Sequence, residues 1–164
     1  MIILLMGVTG AGKTTVGRAL AERLRWRVAD ADDYHSAANI ARMHAGIPLT
    51  DEDRAPWLAS LRDAIVEWIR RGDNVVLACS ALKASYRDML LVGPEVKLVY
   101  LRASMSLIAA RVAARTGSYM NPQLVPSQFA TLEEPKDAVV IDAGGTVEES
   151  VAKIRDGLGL GHNL

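Results

Sequence analysis

The chain has little of what marks disulfide-stabilised, membrane-spanning or nucleic-acid-binding proteins. It contains one cysteine, Cys79, which excludes an internal disulfide framework. It has 19 basic and 19 acidic residues, so no basic surface for nucleic acid or anionic lipid is expected. The opening apolar run, Ile2 to Met6, is too short to cross a bilayer, and no basic leader precedes it. We therefore expect a cytoplasmic protein that binds neither membranes nor nucleic acids.

The apolar residues recur in short continuous runs, which is typical of parallel strands that are covered on both faces. The predicted strands, of which the second is the weakest, are Ile2–Met6, Arg27–Asp32, Val75–Cys79, Val96–Leu101 and Ala138–Ile141. Between them lie amphipathic helices, and Thr50 with Asp53 resembles a capping box at the start of a long one. This alternation predicts a three-layer α/β fold, and 164 residues suit a single domain over residues 1–164.

A phosphate-binding loop follows the first strand directly. Residues Gly7 to Thr14 match the pattern G-x-x-x-x-G-K-[ST], with a helix predicted from Lys13 to Arg25. The glycines let backbone N–H groups surround a phosphate, and the helix dipole points its positive end at the same anion. The same glycines would also suit a turn that binds nothing. The predicted ATP-binding residues in this loop are Gly7, Val8, Thr9, Gly10, Ala11, Gly12, Lys13, Thr14 and Thr15.

Within this loop, Lys13 can reach the terminal phosphates, and the Thr14 hydroxyl can bind a Mg²⁺ ion that bridges them. Arg111 and Arg115 lie four residues apart and therefore on one face of a predicted helix. They lead into the irregular stretch Thr116–Pro126, where a phosphate-loop kinase would carry a mobile lid. We predict that Lys13, Arg111 and Arg115 stabilise the transferred phosphoryl group; a solvated helix face and an ordinary surface loop are the alternatives.

Three carboxylates, Asp30, Asp32 and Asp33, lie at the carboxyl end of the second predicted strand. Ligands of a doubly wound sheet bind at the carboxyl ends of the strands, where a carboxylate can accept a hydroxyl proton or hold Mg²⁺ through water. We expect one of the three to cap a helix and Asp32 to serve in catalysis and metal binding. The third strand ends at Cys79 and Ser80 without an acidic residue, which strengthens the prediction for Asp32.

Polar residues after the second and third strands are predicted to bind the acceptor. Imidazole, amide and guanidinium groups together suit a polyol that also carries an anion, although each residue alone is more often a surface group. We expect His35, Asn39 and Arg42 on one face of a short helix, and Cys79 as a small buried apolar residue. The predicted acceptor-binding residues are Asp32, His35, Asn39, Arg42, Arg54, Ser80, Lys83 and Arg87.

These segments together resemble the gluconokinases of the small phosphate-loop type, which are related to shikimate and adenylate kinases. The resemblance covers almost the whole chain, and Cys79–Lys83 and Gln128–Pro135 are its most specific parts. The segments that carry it are Met6–Thr14, Asp30–His35, Asn39–Met43, Pro48–Trp57, Cys79–Lys83, Tyr86–Asp88 and Ser127–Pro135.

The resemblance implies ATP-dependent phosphorylation of D-gluconate at its 6-hydroxyl, with Mg²⁺, to give 6-phospho-D-gluconate and ADP. It also implies a five-stranded parallel sheet, a lid that carries Arg111 and Arg115, a homodimer, and Gln128 as a further substrate-binding residue. Gluconate is a carboxylated polyol, which agrees with the polar and cationic residues described above.

The chain departs from the family pattern at three places. Gly117-Ser118-Tyr119-Met120 stands where the family usually has Gly-His-Phe-Met, so the lid histidine is replaced by Ser118. Ala31 replaces the glycine of Asp-Gly-Asp, and Ser36 replaces the proline of His-Pro. We expect these changes to alter affinity or rate and to leave the activity in place.

Three other functions compete with this interpretation. A shikimate kinase would normally carry a glycine triplet where Cys79-Ser80-Ala81 stands, and a nucleotide or nucleoside kinase would need aromatic residues for a second base, of which this chain has few. A regulatory module that senses ATP without transferring phosphate is a different class altogether. ADP production that depends on an acceptor separates the enzymes from the regulatory module.

Overall fold

The computed structural model describes residues 1–114 and 122–161. Within them, five parallel strands form one sheet with the order β2-β3-β1-β4-β5. The strands are β1 (Ile2–Met6), β2 (Arg27–Asp30), β3 (Val75–Ala78), β4 (Val96–Arg102) and β5 (Val139–Asp142). The predicted α/β fold with a five-stranded parallel sheet is confirmed.

Helices connect the strands and cover both faces of the sheet. Helix α3 (Asp51–Arg71) begins after a complete capping box in which Thr50 and Asp53 exchange side-chain and backbone hydrogen bonds, as predicted. A short 3-10 helix, Ala31–Tyr34, follows β2. The α-helices are α1 (Lys13–Leu24), α2 (Ala37–His44), α3 (Asp51–Arg71), α4 (Ala84–Leu90), α5 (Met105–Ala114), α6 (Leu124–Thr131) and α7 (Val147–Gly157).

Alternate side chains of β1 enter two different core layers. Ile2, Leu4 and Met6 pack on the α3 side of the sheet, whereas Ile3 and Leu5 pack on the opposite side with α1, α5 and α7. All five side chains are fully buried, which is why this central strand is a continuous apolar run. Burial of each such side chain contributes about 2 kcal/mol to folding. The α3 residues of the first layer are Trp57, Leu58, Leu61, Ile65 and Trp68.

Several predicted boundaries were wrong by a few residues, for identifiable reasons. Strand β2 ends at Asp30 rather than Asp32, because the Asp30 carboxylate accepts a hydrogen bond from the Asp32 N–H and starts the 3-10 helix. His35 precedes α2 rather than lying on it, since Ser36 caps that helix. Lys83 is the N-cap residue of α4.

The predicted lid, residues 116–126, is only partly within the described residues. Its positions 116–121 lie outside them, and its last three positions, 124–126, belong to α6 rather than to an irregular loop. No helix in the described part of the chain is both long enough and apolar enough to span a membrane.

Candidate active site

A cavity of about 540 Å³ opens at the carboxyl ends of β1, β2 and β3. This is the edge of a parallel sheet where ligands are expected. It joins the phosphate-binding loop to most of the predicted acceptor residues. Its polar and charged lining residues include Thr9, Lys13, Thr14, Thr15, Asp30, Asp32, His35, Arg54, Ser80, Ser127, Gln128 and Thr131.

The loop between β1 and α1 has the backbone geometry of an anion cradle. Gly10 and Gly12 adopt φ angles of +79° and +100°, which favour glycine. A Cβ atom on Gly10 would also lie 3.2 Å from the Val112 side chain of α5. Lys13 begins α1, and its Nζ donates hydrogen bonds to the carbonyl oxygens of Gly7 at 2.8 Å and Val8 at 3.0 Å. The lysine charge therefore lies over the loop that would surround the phosphates.

Asp30 is a functional candidate to which the sequence analysis gave no specific role. Its Oδ2 accepts a hydrogen bond of 3.2 Å from the Thr14 hydroxyl, and its Oδ1 accepts one of 2.9 Å from the Asp32 N–H. Asp30 is thus the capping residue that was expected among the three carboxylates, and it also lines the cavity beside Thr14. Its place among the acidic residues at the carboxyl end of the second predicted strand was the available signal.

Asp32 also lines the cavity and lies in the 3-10 helix, which packs against α3. The buried indole of Trp57 donates a hydrogen bond of 2.7 Å to the Ala31 carbonyl, which fixes this turn on the core. The structure therefore brings Asp32 into one cavity with Lys13. Cys79 is buried beside them, and burial raises the pKa of its thiol to about 12, so the prediction of an inert cysteine agrees with the structure.

His35 is held as a neutral ring at the wall of the cavity. It stacks on Trp57 with 4.2 Å between ring centroids and 12° between planes. Partial burial and, to a smaller extent, the positive charge of Arg54 lower the pKa of His35 to about 4. Its Nδ1 lies 3.4 Å from Nδ2 of the buried Asn39, which also donates to the Asp53 carbonyl at 2.8 Å. At neutral pH, His35 offers hydrogen bonds and no charge.

Arg54 brings a positive charge to the wall of the cavity near His35. It lies in the first turn of α3, close to His35 and Trp57. Its Nη1 donates hydrogen bonds to the Leu49 carbonyl at 2.8 Å and to the Tyr86 hydroxyl at 2.9 Å. The guanidinium is therefore held at a fixed place in the cavity wall.

Four predicted acceptor residues are absent from the lining of this cavity in the part of the chain that the structure describes. Arg42 forms an ion pair with Asp53, and Lys83 forms one with Asp51 at 3.1 Å. Arg87 is buried, and its Nη1 donates to the carbonyls of Ala81 and Leu82 at 2.9 and 3.1 Å. These contacts fix the loops around the site. Asn39, the fourth of these residues, supports His35.

Arg111 contacts the outer side of the phosphate-binding loop. Its guanidinium donates to the carbonyls of Gly10 at 3.2 Å, Ala11 at 3.4 Å and Ala143 at 2.6 Å. Arg115, predicted as its partner, lies outside the described residues. Gln128 enters the cavity from α6, and its Oε1 accepts a hydrogen bond of 2.7 Å from the Thr9 N–H.

Comparison with known proteins agrees with this geometry. A family model described as an AAA domain matches residues 2–135. The gluconokinase of Gluconobacter oxydans is 46% identical over 137 residues, which cover 82% of this chain and 76% of that protein.

Two solved structures are similar over nearly their whole length. The gluconokinase from Sinorhizobium meliloti is 39% identical with a TM-score of 0.85, and covers 96% of this chain and 91% of its own. A sugar kinase from Janibacter is 40% identical with a TM-score of 0.90, and covers 96% and 94%. Because these gluconokinases are 39–46% identical over most of its length, the chain belongs to the gluconokinase family of phosphate-loop kinases.

Proposed function

We propose that this protein transfers the γ-phosphoryl group of ATP to the 6-hydroxyl of D-gluconate, giving 6-phospho-D-gluconate and ADP. The observation that carries the proposal is the single cavity that joins Lys13, Asp32 and Arg54. A phosphate site, a carboxylate and a separate cation are the groups needed to transfer phosphate to an anionic alcohol. Membership of the gluconokinase family supports gluconate as that alcohol.

The acceptor end of the cavity suits a carboxylated polyol. The Arg54 guanidinium would bind the carboxylate, because an arginine fork matches the two oxygens of a carboxylate. Neutral His35, Ser80 and Gln128 offer hydrogen bonds to hydroxyl groups along the carbon chain. A long apolar or aromatic acceptor would find few partners among these groups.

Asp32 would accept the proton of the 6-hydroxyl as its oxygen attacks the γ-phosphorus and the bond to the ADP oxygen breaks. Lys13 would stabilise the charge on the transferred group, as phosphate-loop lysines do. Arg115 remains a proposal as a phosphate ligand. Arg111 would act through the loop that it holds, since its described contacts are to backbone carbonyls of Gly10, Ala11 and Ala143.

The Thr14 hydroxyl and the neighbouring carboxylates fit a Mg²⁺ ion. Mg²⁺ prefers oxygen ligands, keeps several waters and needs only one or two carboxylates from the protein. Thr14 and Asp30 supply adjacent oxygen atoms, and Asp32 lies in the same cavity wall. When bound, the ion would neutralise negative charge on the β- and γ-phosphates.

Four other predictions go with this function and rest on the sequence and the family. They are the single domain over residues 1–164, the lid around residues 116–126, the homodimer and the cytoplasmic location. Sedimentation of the purified protein would test the homodimer, which should have twice the 17.7 kDa mass of one chain.

The proposed function is tested by ADP release with Mg-ATP in the presence of gluconate, shikimate, several other sugar acids, or no acceptor. We expect turnover with gluconate, and the product should carry phosphate on the 6-oxygen by ³¹P NMR. Turnover with a different acid alone would keep the phosphotransfer chemistry and refute gluconate as the acceptor. ATP binding without turnover on any acceptor would instead favour a regulatory module.

A further inference from the structure

A chain of hydrogen bonds runs behind the acceptor end of the cavity, from Arg54 to the protein surface. The Arg54 Nη1 donates to the Tyr86 hydroxyl at 2.9 Å, and that hydroxyl donates to Asp51 Oδ1 at 2.6 Å. Lys83 Nζ donates to the same Asp51 oxygen at 3.1 Å. Tyr86 is 5% exposed and is absent from the cavity lining among the described residues, whereas Arg54 lines the cavity.

The direction of each hydrogen bond in this chain is determined by its chemistry. A tyrosine hydroxyl has one proton, and that proton is donated in the hydrogen bond to Asp51. The Tyr86 oxygen can therefore only accept a hydrogen bond from Arg54. Lys83 offsets the negative charge on Asp51, and the hydrogen bonds from Tyr86 and Lys83 lower the pKa of that carboxyl. Asp51 therefore stays ionised and holds the Tyr86 proton, which leaves a lone pair of the Tyr86 oxygen to accept from Arg54.

The two bonds at Nη1 also determine which part of Arg54 can bind a ligand. Nη1 has two protons, and they go to Leu49 and Tyr86. Within residues 1–114 and 122–161, no protein group accepts a hydrogen bond from the Nη2 or Nε atom of Arg54. The Nη2–Nε edge presents two parallel N–H donors, which is the geometry that binds a carboxylate through both oxygens.

We propose that Tyr86 is a positioning residue that selects for acceptors with a carboxylate, by holding Arg54 with its Nη2–Nε edge toward the acceptor. Tyr86 does not touch the acceptor in this scheme and acts through Arg54. The inference rests on the proposed function in one respect, namely that Arg54 binds the acceptor carboxylate. Without the Tyr86 hydroxyl, the Leu49 carbonyl would be the one remaining hydrogen-bond acceptor of Nη1 among the described residues.

The first test compares Tyr86→Phe with Tyr100→Phe in the full-length protein. Both tyrosines are buried in the same core layer and donate a hydrogen bond to a carboxylate, but Tyr100 contacts Glu134 at 3.2 Å and not Arg54. Tyr86→Phe should raise the KM for gluconate by roughly tenfold, the size expected when a charged hydrogen bond is lost. The KM for ATP, kcat and the KM for the uncharged polyol D-glucitol should change by less than about twofold.

Equal effects of the two substitutions on gluconate KM, or equal effects of Tyr86→Phe on gluconate and glucitol, would overturn the inference. Urea unfolding of both variants separates this outcome from a general loss of stability. A structural role would shift the unfolding midpoint without changing the preference for a charged acceptor.

The second test is a double-mutant cycle with Arg54→Ala. If Tyr86 acts through Arg54, adding Tyr86→Phe to Arg54→Ala should cause no further loss of kcat/KM for gluconate. Additive losses would refute that route. If wild-type turnover is normal but Arg54→Ala leaves the gluconate KM unchanged, the inference fails while the proposed function stands. If wild-type protein turns over no gluconate at all, the proposed function itself fails.

Discussion

Two carboxylates lie at the end of β2, and their surroundings differ. Both oxygens of Asp30 accept hydrogen bonds within the site, one from Thr14 and one from the Asp32 N–H. Asp30 is therefore suited to hold the loop and a metal ion in place. Asp32 lies two residues further along the 3-10 helix and lines the same cavity, where it can meet the acceptor hydroxyl.

We expect Asp32→Asn to lower kcat by roughly 100-fold or more, because the amide keeps the shape of the carboxylate and cannot accept the proton. ATP affinity, measured by calorimetry, should change little. Asp33→Asn is the matched control, since Asp33 is exposed and lies in the same turn. Turnover by Asp32→Asn at the level of Asp33→Asn would exclude Asp32 as the proton acceptor.

His35 should make the protein sensitive to acid. Its pKa is lowered from 6.5 to about 4 in the folded protein, so the unfolded chain binds more protons between these values. The stability that depends on neutral His35 is complete above pH 6.5 and is lost as the pH falls toward 4. Urea unfolding across this range should show a smaller pH dependence for His35→Gln than for wild type. His44→Gln, at an exposed position, should follow wild type; if both variants follow wild type, His35 is not held neutral by the fold.

At the scale of secondary-structure elements, local sequence patterns predicted most of what the structure shows. The phosphate-binding loop, the capping box of α3 and the apolar strands each depend on residues within a few positions of one another. The errors in element boundaries arose where a capping residue starts a helix at a position that the apolar pattern does not mark, as Asp30 and Ser36 do. Ser36 starts α2 one residue after His35, so the spacing of His35, Asn39 and Arg42 did not describe one helical face.

The N-terminal cap of α3 links stability to acceptor binding. Thr50→Ala removes the hydroxyl that accepts from the Asp53 N–H, and should lower the free energy of unfolding by about 1 kcal/mol. Because Arg54 lies in the first turn of α3, the substitution should also raise the KM for gluconate. Thr146→Ala is the control, since Thr146 caps α7 in the same way but lies outside the cavity lining in the described residues. Thr146→Ala should lower the free energy of unfolding by a similar amount and leave the KM for gluconate unchanged. A rise in this KM for both variants would contradict the link between the α3 cap and acceptor binding.

At the scale of the whole molecule, the site depends on contacts between residues that are far apart in the sequence. Arg54 donates a hydrogen bond to Tyr86, and Lys83 forms an ion pair with Asp51. Arg87 donates a hydrogen bond to a backbone carbonyl of the loop after β3. The sequence shows four basic residues that could bind an anionic acceptor, namely Arg42, Arg54, Lys83 and Arg87. Only the folded structure shows that Arg54 lines the cavity while the other three hold its surroundings. Spacing along the chain could not rank them, because their partners come from other elements.

The whole molecule should become more stable when a nucleotide fills the phosphate-binding loop. At a concentration of about 100 times its Kd, Mg-ADP should stabilise the folded state by about 2.7 kcal/mol, which raises Tm by roughly 5–10 °C in a protein of this size. Lys13→Ala should reduce this shift, because the lost ammonium group contacts the loop and would contact the phosphates. Lys153→Ala removes an exposed lysine of α7 and should keep the full shift. Differential scanning fluorimetry at one nucleotide concentration measures all three proteins. Equal shifts in all three would mean that Lys13 does not bind the nucleotide, whereas no shift in wild type would argue against a nucleotide site in this loop.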